Sequence, residues 1–221
     1  MINCNDICYA YEGVPALRHV SFDIEEKECV IFRGPNGCGK STLFKLLNGL
    51  IFPEVGTYTF QGELITEKTM SDQLFSKRFH QTVGYVFQNS DMQLFCSTVI
   101  EELEFGPRQM GLSDEEIDRR CKDVVDMLGI ENLLERAPYH LSGGEKKKVA
   151  IGCILTMNPK VLILDEPLAG LDDRSKKWLS DFLLLFKKTD KTILIATHDR
   201  ELTELLADRV IEIDENHLVK S

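Results

Sequence analysis

The sequence predicts an α/β fold in which a parallel sheet carries an antiparallel β layer and a helical arm. Three observations lead there. Val161–Leu164 and Thr192–Ala196 are short, continuously apolar, β-branched runs, the pattern of parallel strands buried on both faces. Gly56 to Ile65 alternates as Thr57-Tyr58-Thr59-Phe60 before the turn residues Gln61-Gly62, as a half-buried strand does. Glu115 to Leu128 sets Ile117, Cys121, Val124, Val125 and Leu128 three and four residues apart, the period of a helix with one buried face.

In chain order, Ser21–Ile24 and Glu28–Arg33 read as short strands that join Gly56–Ile65 in the antiparallel layer. From about Asp91 to Met157 the pattern is helical. Ser175 to Phe186 reads as a helix between the two apolar runs and completes a βαβ unit. No internal repeat, Pro-rich linker or charge tail divides the chain, so a single domain over residues 1–221 is expected.

Composition narrows the function. With 43% hydrophobic and 28% charged residues in 221, the chain has enough apolar surface to build a core, which excludes a disordered protein. Lys plus Arg is 26 against 36 for Asp plus Glu, a net charge of −10, and an acidic body repels phosphate backbones, so no nucleic-acid partner is expected. Apolar runs such as Val149–Leu155 fall well short of the ~18 residues that cross a bilayer. No basic residue precedes Arg18, so a secretory signal is not expected. Cysteines at 4, 8, 29, 38, 96, 121 and 153 include no Cys-x-x-Cys pair, a usage that fits reduced thiols inside the cell rather than a disulfide framework or a zinc site.

Gly34-Pro35-Asn36-Gly37-Cys38-Gly39-Lys40-Ser41-Thr42 fits G-x-x-x-x-G-K-[ST], between the apolar Cys29-Val30-Ile31-Phe32 and the helical Leu43-Phe44-Lys45-Leu46-Leu47. A strand before and a helix after are the context in which this pattern binds nucleoside triphosphates. The glycines let main-chain N–H groups face an anion, and the helix N-terminus adds its positive end. Lys40 is then the contact to the β and γ phosphates, and Ser41 supplies a hydroxyl to Mg²⁺. Cys38 stands near that helix N-terminus, where thiol pKa values fall. Labelling there would inactivate the protein and ATP would protect it, although a small residue tolerated at a variable position is the plainer reading.

Lys160-Val161-Leu162-Ile163-Leu164-Asp165-Glu166-Pro167 is an apolar strand ending in two carboxylates. Asp165 is placed to hold Mg²⁺ through water and Glu166 to polarise the attacking water. Upstream, Leu141-Ser142-Gly143-Gly144-Glu145 resembles the signature motif of ATP-binding cassette (ABC) ATPases. Gln88 in Val86-Phe87-Gln88-Asn89 resembles the Q-loop, Ala169-Gly170-Leu171-Asp172 the D-loop, and Thr197-His198-Asp199 the switch histidine, while Tyr11 fits the aromatic that stacks on adenine. The resemblance covers essentially the whole chain. A narrower resemblance, to the ATPase subunits of energy-coupling-factor transporters for vitamins and for cobalt or nickel, rests on three strings. They are Phe87-Gln88-Asn89-Ser90-Asp91-Met92-Gln93-Leu94-Phe95, Thr98-Val99 to Phe105-Gly106-Pro107, and Leu141 to Ile151.

The resemblance implies a P-loop NTPase fold of the ABC type, with residues 1–89 and 158–221 as the catalytic core and 90–157 as a helical subdomain bearing the signature motif. It implies ATP hydrolysis with Mg²⁺ held by Ser41, Gln88 and Asp165, and catalysis by Glu166, His198 and Lys40. It implies a head-to-tail dimer in which Leu141, Ser142, Gly143, Gly144, Glu145 and Asp172 complete the partner's ATP site. The residues offer a reason for two half-sites: Ser142 with the main chain of Gly143 and Gly144 makes a second small anion nest. The partners implied are a second ATPase subunit, identical or paralogous, a transmembrane coupling subunit and a substrate-binding membrane subunit, at the cytoplasmic face of the membrane. The arm between Gln88 and Leu141 is the expected docking surface, with Met92, Leu94, Phe95 and Phe105 as either apolar contacts or core. Three departures stand out: Glu145 in place of the commoner Gln, Leu168 where many members have Thr, and no C-terminal extension after Ser221, from which weaker dimerisation is expected. The alternatives are a soluble ABC-type ATPase acting on DNA or ribosomes, and a nucleotide-dependent switch that hydrolyses nothing. Cobalt, nickel and a vitamin remain equivalent as cargo.

Overall fold

Two sheets organise the residues, 1–220, that the computed structural model describes. The chain runs β1 (Ile2–Tyr11), β2 (Val14–Ile24), β3 (Cys29–Arg33), α1 (Lys40–Leu47), β4 (Val55–Phe60), β5 (Glu63–Leu64), α2 (Glu67–Met70), α3 (Gln73–Thr82) and β6 (Val83–Val86). It continues through α4 (Val99–Met110), α5 (Asp114–Leu128), α6 (Gly143–Leu155), β7 (Val161–Asp165), α7 (Asp173–Phe186), β8 (Thr192–Ala196), α8 (Arg200–Leu206), β9 (Arg209–Ile213) and β10 (Val219–Lys220). The antiparallel sheet has the order β2-β1-β4-β5, and the larger sheet has the order β10-β9-β3-β8-β7-β6. In the larger sheet every neighbouring pair is parallel except β9 with β10.

The continuous apolar runs behave as their pattern demands, with successive side chains entering opposite layers. Val30 and Phe32 of β3, Val161 and Ile163 of β7, and Leu194 and Ala196 of β8 pack into one core with α1 and the antiparallel sheet. Cys29 and Ile31, Leu162 and Leu164, and Ile193 and Ile195 pack into the other, against α4 through α8. Glu28–Arg33 is therefore not part of the antiparallel layer. Its five strand residues pair in parallel with β8 and β9 in the middle of the large sheet, because a run apolar on both faces can only be buried from both sides.

One strand of the antiparallel sheet escapes a reading of alternation. In β1 the buried residues Ile2, Cys4 and Ile7 are out of step because Asp6 takes a positive φ of 55° and the pairing with β2 shifts register between Cys4 and Ile7. Gly56–Ile65 divides at Gln61-Gly62 into β4 and β5, as its turn residues indicate. The helical arm consists of α4, α5 and α6. Thr98 and Ser113 cap the first two by accepting N–H groups from Glu101 and Glu116, satisfying main-chain donors that the first turn leaves free. The face read from Glu115 to Leu128 is buried as predicted, at Ile117, Cys121, Val124, Val125 and Leu128.

Candidate nucleotide site

The site is built at the carboxyl ends of three adjacent strands. Phe32 of β3 pairs with Ala196 of β8, which pairs with Asp165 of β7, so the loop after β3, the acidic pair after β7 and the loop after β8 emerge side by side. Open parallel sheets place ligands at this edge. The connections are laced together: Glu166 N–H donates to Ala196 O at 2.8 Å and Thr197 N–H to Phe32 O at 3.0 Å.

After β3 the chain turns through Gly34–Gly39 into α1. Gly39 is required by stereochemistry, since its φ is 105° and a Cβ there would stand 2.2 Å from the carbonyl oxygen of Ala16. Lys40, buried, folds back over the loop and donates to Gly34 O at 2.9 Å and Pro35 O at 3.1 Å. Its ammonium lies 3.4 Å from Oε1 of Glu166. Glu166 has φ 42°, a left-handed conformation unusual for a residue with a side chain. Such strain costs about 1–3 kcal/mol and concentrates where a side chain must be aimed. Its Oε2 is 3.0 Å from Nδ1 of His198. Asp165 receives the Tyr85 hydroxyl on Oδ2 at 3.2 Å. Burial pushes its carboxyl above the usual range, against the pull of the Ser41 and Tyr85 hydroxyls and with the Glu166 charge adding to the rise.

At the site, two buried carboxylate oxygens make no hydrogen bond among the described residues, Asp165 Oδ1 and Glu166 Oε1, the latter with only the Lys40 ammonium at 3.4 Å. A carboxylate oxygen held in that condition beside the Ser41 hydroxyl suits a hydrated divalent cation. The donor set is all oxygen, which also matches Mg²⁺.

A cleft of about 510 Å³ brings together Tyr11, Asn36, Gly37, Gly39, Lys40, Ser41, Thr42, Gln88 and Glu166. Gly34, Pro35 and His198 border a neighbouring cleft instead, and His198 reaches Glu166 from there. Cys38 departs from expectation. Its side chain is buried in the core beneath the loop, and burial raises the thiol pKa although Lys40 and main-chain N–H groups pull it down. Its contribution to the loop is therefore main-chain. Maleimide labelling of Cys38 in the folded protein is expected to be slow with or without ATP, read by mass spectrometry of its peptide; rapid labelling that ATP suppresses would contradict the burial.

Ser142, Gly144, Glu145 and Asp172 lie together elsewhere, in a cleft of about 360 Å³ that shares no residue with the first. Gly143 is exposed at the same helix end. Ser142 caps α6 in a reciprocal box: its N–H and hydroxyl both donate to Glu145 Oε2, at 2.8 and 2.7 Å. The Ser142 hydroxyl thereby holds the Glu145 carboxyl below its usual range. Glu145 thus completes a helix cap. At Gly144 a Cβ would stand 2.1 Å from the Ser175 hydroxyl and 3.0 Å from its Cβ, so α6 meets the start of α7 closely here. Asp172 caps α7 by accepting the Ser175 N–H at 2.8 Å. Leu141 is not at the surface with them. Its side chain is buried in the core and serves as an anchor. Leu168 is likewise buried there, which accounts for an apolar residue at that position.

Three residues that motif reading missed also bear on the site. His217, on the turn between β9 and β10, lines the first cleft with Tyr11. Tyr85 secures Asp165, and Lys147 is buried in α6 with its ammonium pushed by burial to about 8. Only the three consecutive lysines at 146–148 hinted at the last.

The sequence model of the ABC transporter family matches residues 17–169. The chain belongs to the ABC transporter ATPase family. An ABC transporter ATP-binding protein of Clostridium acetobutylicum is 48% identical over 219 residues, 99% of this chain and 91% of its own. The nickel import ATP-binding protein LarO of Lactiplantibacillus plantarum is 40% identical over 219 residues, 99% of this chain and 91% of its own. An energy-coupling factor transporter ATP-binding protein of Methanosphaera stadtmanae is 42% identical over 222 residues, covering this whole chain and 78% of its own. Among solved structures, cbiO1 of Clostridium perfringens, part of the cbiONQ complex, superposes with a TM-score of 0.86 at 35% identity over all of this chain and 86% of its own. A dimeric cassette in a post-hydrolysis state with ADP and Pi gives 0.88 at 25% identity, over 100% and 97% of the two chains. This ABC ATPase binds ATP and hydrolyses it to ADP and phosphate in coupling to transport. Among the described residues no helix is long and apolar enough to cross a membrane.

Proposed function

We propose that this ABC ATPase energises an importer of the energy-coupling-factor type for a transition-metal ion, cobalt or nickel, or for a vitamin, working as a head-to-tail dimer on the cytoplasmic face of the membrane. The observation that carries the dimer is the separation of the two clefts. Lys40 and Ser142 of one chain line different clefts with no residue in common, which supports the α6 N-terminus serving as an anion cradle for a second subunit's nucleotide. Relatives named for energy coupling and nickel import support the transport assignment.

Within one half-site, Tyr11 faces the base and the N–H groups of Asn36–Thr42 cradle the phosphates. Lys40 exchanges its carbonyl partners Gly34 and Pro35 for phosphate oxygens, a stronger charge-assisted bond. Ser41, Asp165 and Gln88 hold Mg²⁺, which when bound offsets charge on the phosphates. Glu166, its carboxylate steadied by His198, accepts a hydrogen bond from the attacking water and orients it.

The division into a core, 1–89 with 158–221, and a helical subdomain, 90–157, gives the arm its task. An apolar groove of about 280 Å³ runs between α3, α4 and α6, lined by Phe95, Phe105, Cys153, Ile154 and Met157. Phe95 and Phe105 meet edge to face, at 4.9 Å and 89°, yet are 68% and 42% exposed. Met92 is also exposed, whereas Leu94 is half-buried against the core. This groove takes a helix of the transmembrane coupling subunit.

The test is affinity purification from detergent-solubilised membranes of the source, with wild type and Phe105→Asp compared. Wild type is expected to recover a multi-helix coupling protein and a small substrate-binding membrane protein, whose identity names the cargo. Phe105→Asp is expected to lose both while keeping ATP binding. Equal recovery by the two would overturn the groove, and recovery of ribosomal or DNA-bound proteins instead would overturn the importer.

A further inference from the structure

Of the three consecutive lysines in α6, Lys147 alone turns inward, at 3% exposure. A buried ammonium is costly unless its donors are satisfied, and here the partners are main-chain carbonyls rather than a carboxylate. Nζ donates to Phe87 O at 3.1 Å and to Gln88 O at 2.9 Å. Two further ties join the same segment to the same helix. Gln93 Nε2 donates to Ala150 O at 2.7 Å and Lys146 Nζ lies 2.6 Å from Asp91 Oδ1, while Gln93 Oε1 accepts the Phe87 N–H at 3.2 Å and so closes the segment on itself. Residues 87–93 are thus fastened to α6 at several points, and they join the large sheet through the chain at the end of β6 and through Phe87, whose ring lies against Tyr85 at 4.6 Å.

The same helix begins at Ser142. A rigid helix carries a displacement of its first turn to its next turn, where Lys147 sits. We propose that Lys147 is a positioning residue that locks the main chain of Phe87 and Gln88 to the signature helix, so that Gln88 in one half-site and Ser142 in the other take their places together. A nucleotide gripped at Ser142 then sets Gln88 beside the cation of the chain's own nucleotide. This rests on the assignment of Gln88 to the cation made above, and it adds the residue that couples the two half-sites.

Lys147→Met keeps the aliphatic stem and removes the donors. Hydrogen exchange read by mass spectrometry is expected to rise about tenfold or more at the amides of residues 87–94, with β7 and β8 unchanged, since charge-assisted bonds are among the stronger ones. For ATP hydrolysis kcat is expected to fall about tenfold with KM within about twofold, the mark of a transition-state effect. Lys147→Arg, which retains donors, is expected to restore most of kcat. Gln93→Leu, which removes the neighbouring tie, is expected to act in the same direction and serves if Lys147→Met is poorly folded. Unchanged exchange at 87–94 in both variants would overturn the clamp. Raised exchange with wild-type kcat would overturn its role in coupling. Gln88→Ala separates the claims: wild-type kcat there would overturn the cation assignment alone, which the exchange measurement does not use.

Discussion

Glu166→Gln is expected to lower kcat for ATP hydrolysis by about 10²–10⁴-fold, the range for removing a positioned general base, while ATP binding persists. The change is isosteric, so neither the left-handed main chain at residue 166 nor its N–H bond to Ala196 need alter. What is lost is the carboxylate charge between the Lys40 ammonium and His198. A Gln side chain can still meet His198 but is a poor acceptor for a proton from water. If, as proposed above, two chains join across two nucleotides and hydrolysis releases them, the variant is expected to elute as a dimer with ATP and as a monomer without it. Sizing and a phosphate-release assay measure both halves. A variant that stays monomeric with ATP and still hydrolyses it would overturn the place given to Glu166 and the head-to-tail assembly together.

Lys40→Met is expected to weaken ATP binding by about a hundredfold. Lys40 is the cation at the floor of the loop, and charge-assisted hydrogen bonds contribute about 1.5–3 kcal/mol each. With ATP at about a hundred times its Kd, a bound ligand adds about 2.7 kcal/mol to stability, which falls to about 0.4 kcal/mol when Kd rises a hundredfold, so wild type is expected to melt several degrees higher with ATP and the variant to shift by only about a degree at the same concentration. Thermal melts with and without ATP read this directly. A second consequence follows from burial. Lys40 and Glu166 are 6% and 10% exposed at their side chains, and removing the cation leaves a carboxylate buried with His198 as its remaining partner. The variant is therefore expected to melt below wild type even without nucleotide. An ATP-dependent shift equal to that of wild type would show that the phosphates are held elsewhere.

Much of this site was legible in the residues because each part is local. Gly34–Thr42 builds its anion cradle within one turn, with glycines where the main chain needs positive φ and a helix immediately after. Asp165 ends a strand whose apolar character is unmistakable, and Glu166 follows it directly. The cap formed by Ser142 and Glu145 spans three residues. Side-chain fate within those motifs was less legible. Cys38 and Leu141 sit in motif strings whose main chain faces solvent, yet both side chains turn into the core. The direction depends on what packs beneath, and nothing adjacent in sequence records it. Leu94 and Phe95 make the same point, neighbours of similar hydropathy of which one packs on the core and the other lines a groove.

Glu28–Arg33 shows a different limit. Its apolar run was plain, but proximity in sequence to other strands suggested the antiparallel layer, whereas pairing with β8 and β9 puts it in the centre of the large sheet. His217 and Lys147 carried no signal beyond their identities, because each acquires its place through contacts with distant segments, β2 through Arg18 for one and the Phe87–Gln88 main chain for the other.

The sequence by itself determined the nucleotide chemistry and the family, since phosphate cradles, strand-end carboxylates and helix caps are made by residues a few positions apart whose stereochemistry is local. Only the tertiary structure decided which strands share a sheet, that Lys40 and Ser142 line separate clefts, and which lysine of α6 is buried against the Phe87–Gln88 main chain. Those depend on burial and on hydrogen bonds between segments far apart in the chain, and they come into being when the two cores close on either side of the large sheet.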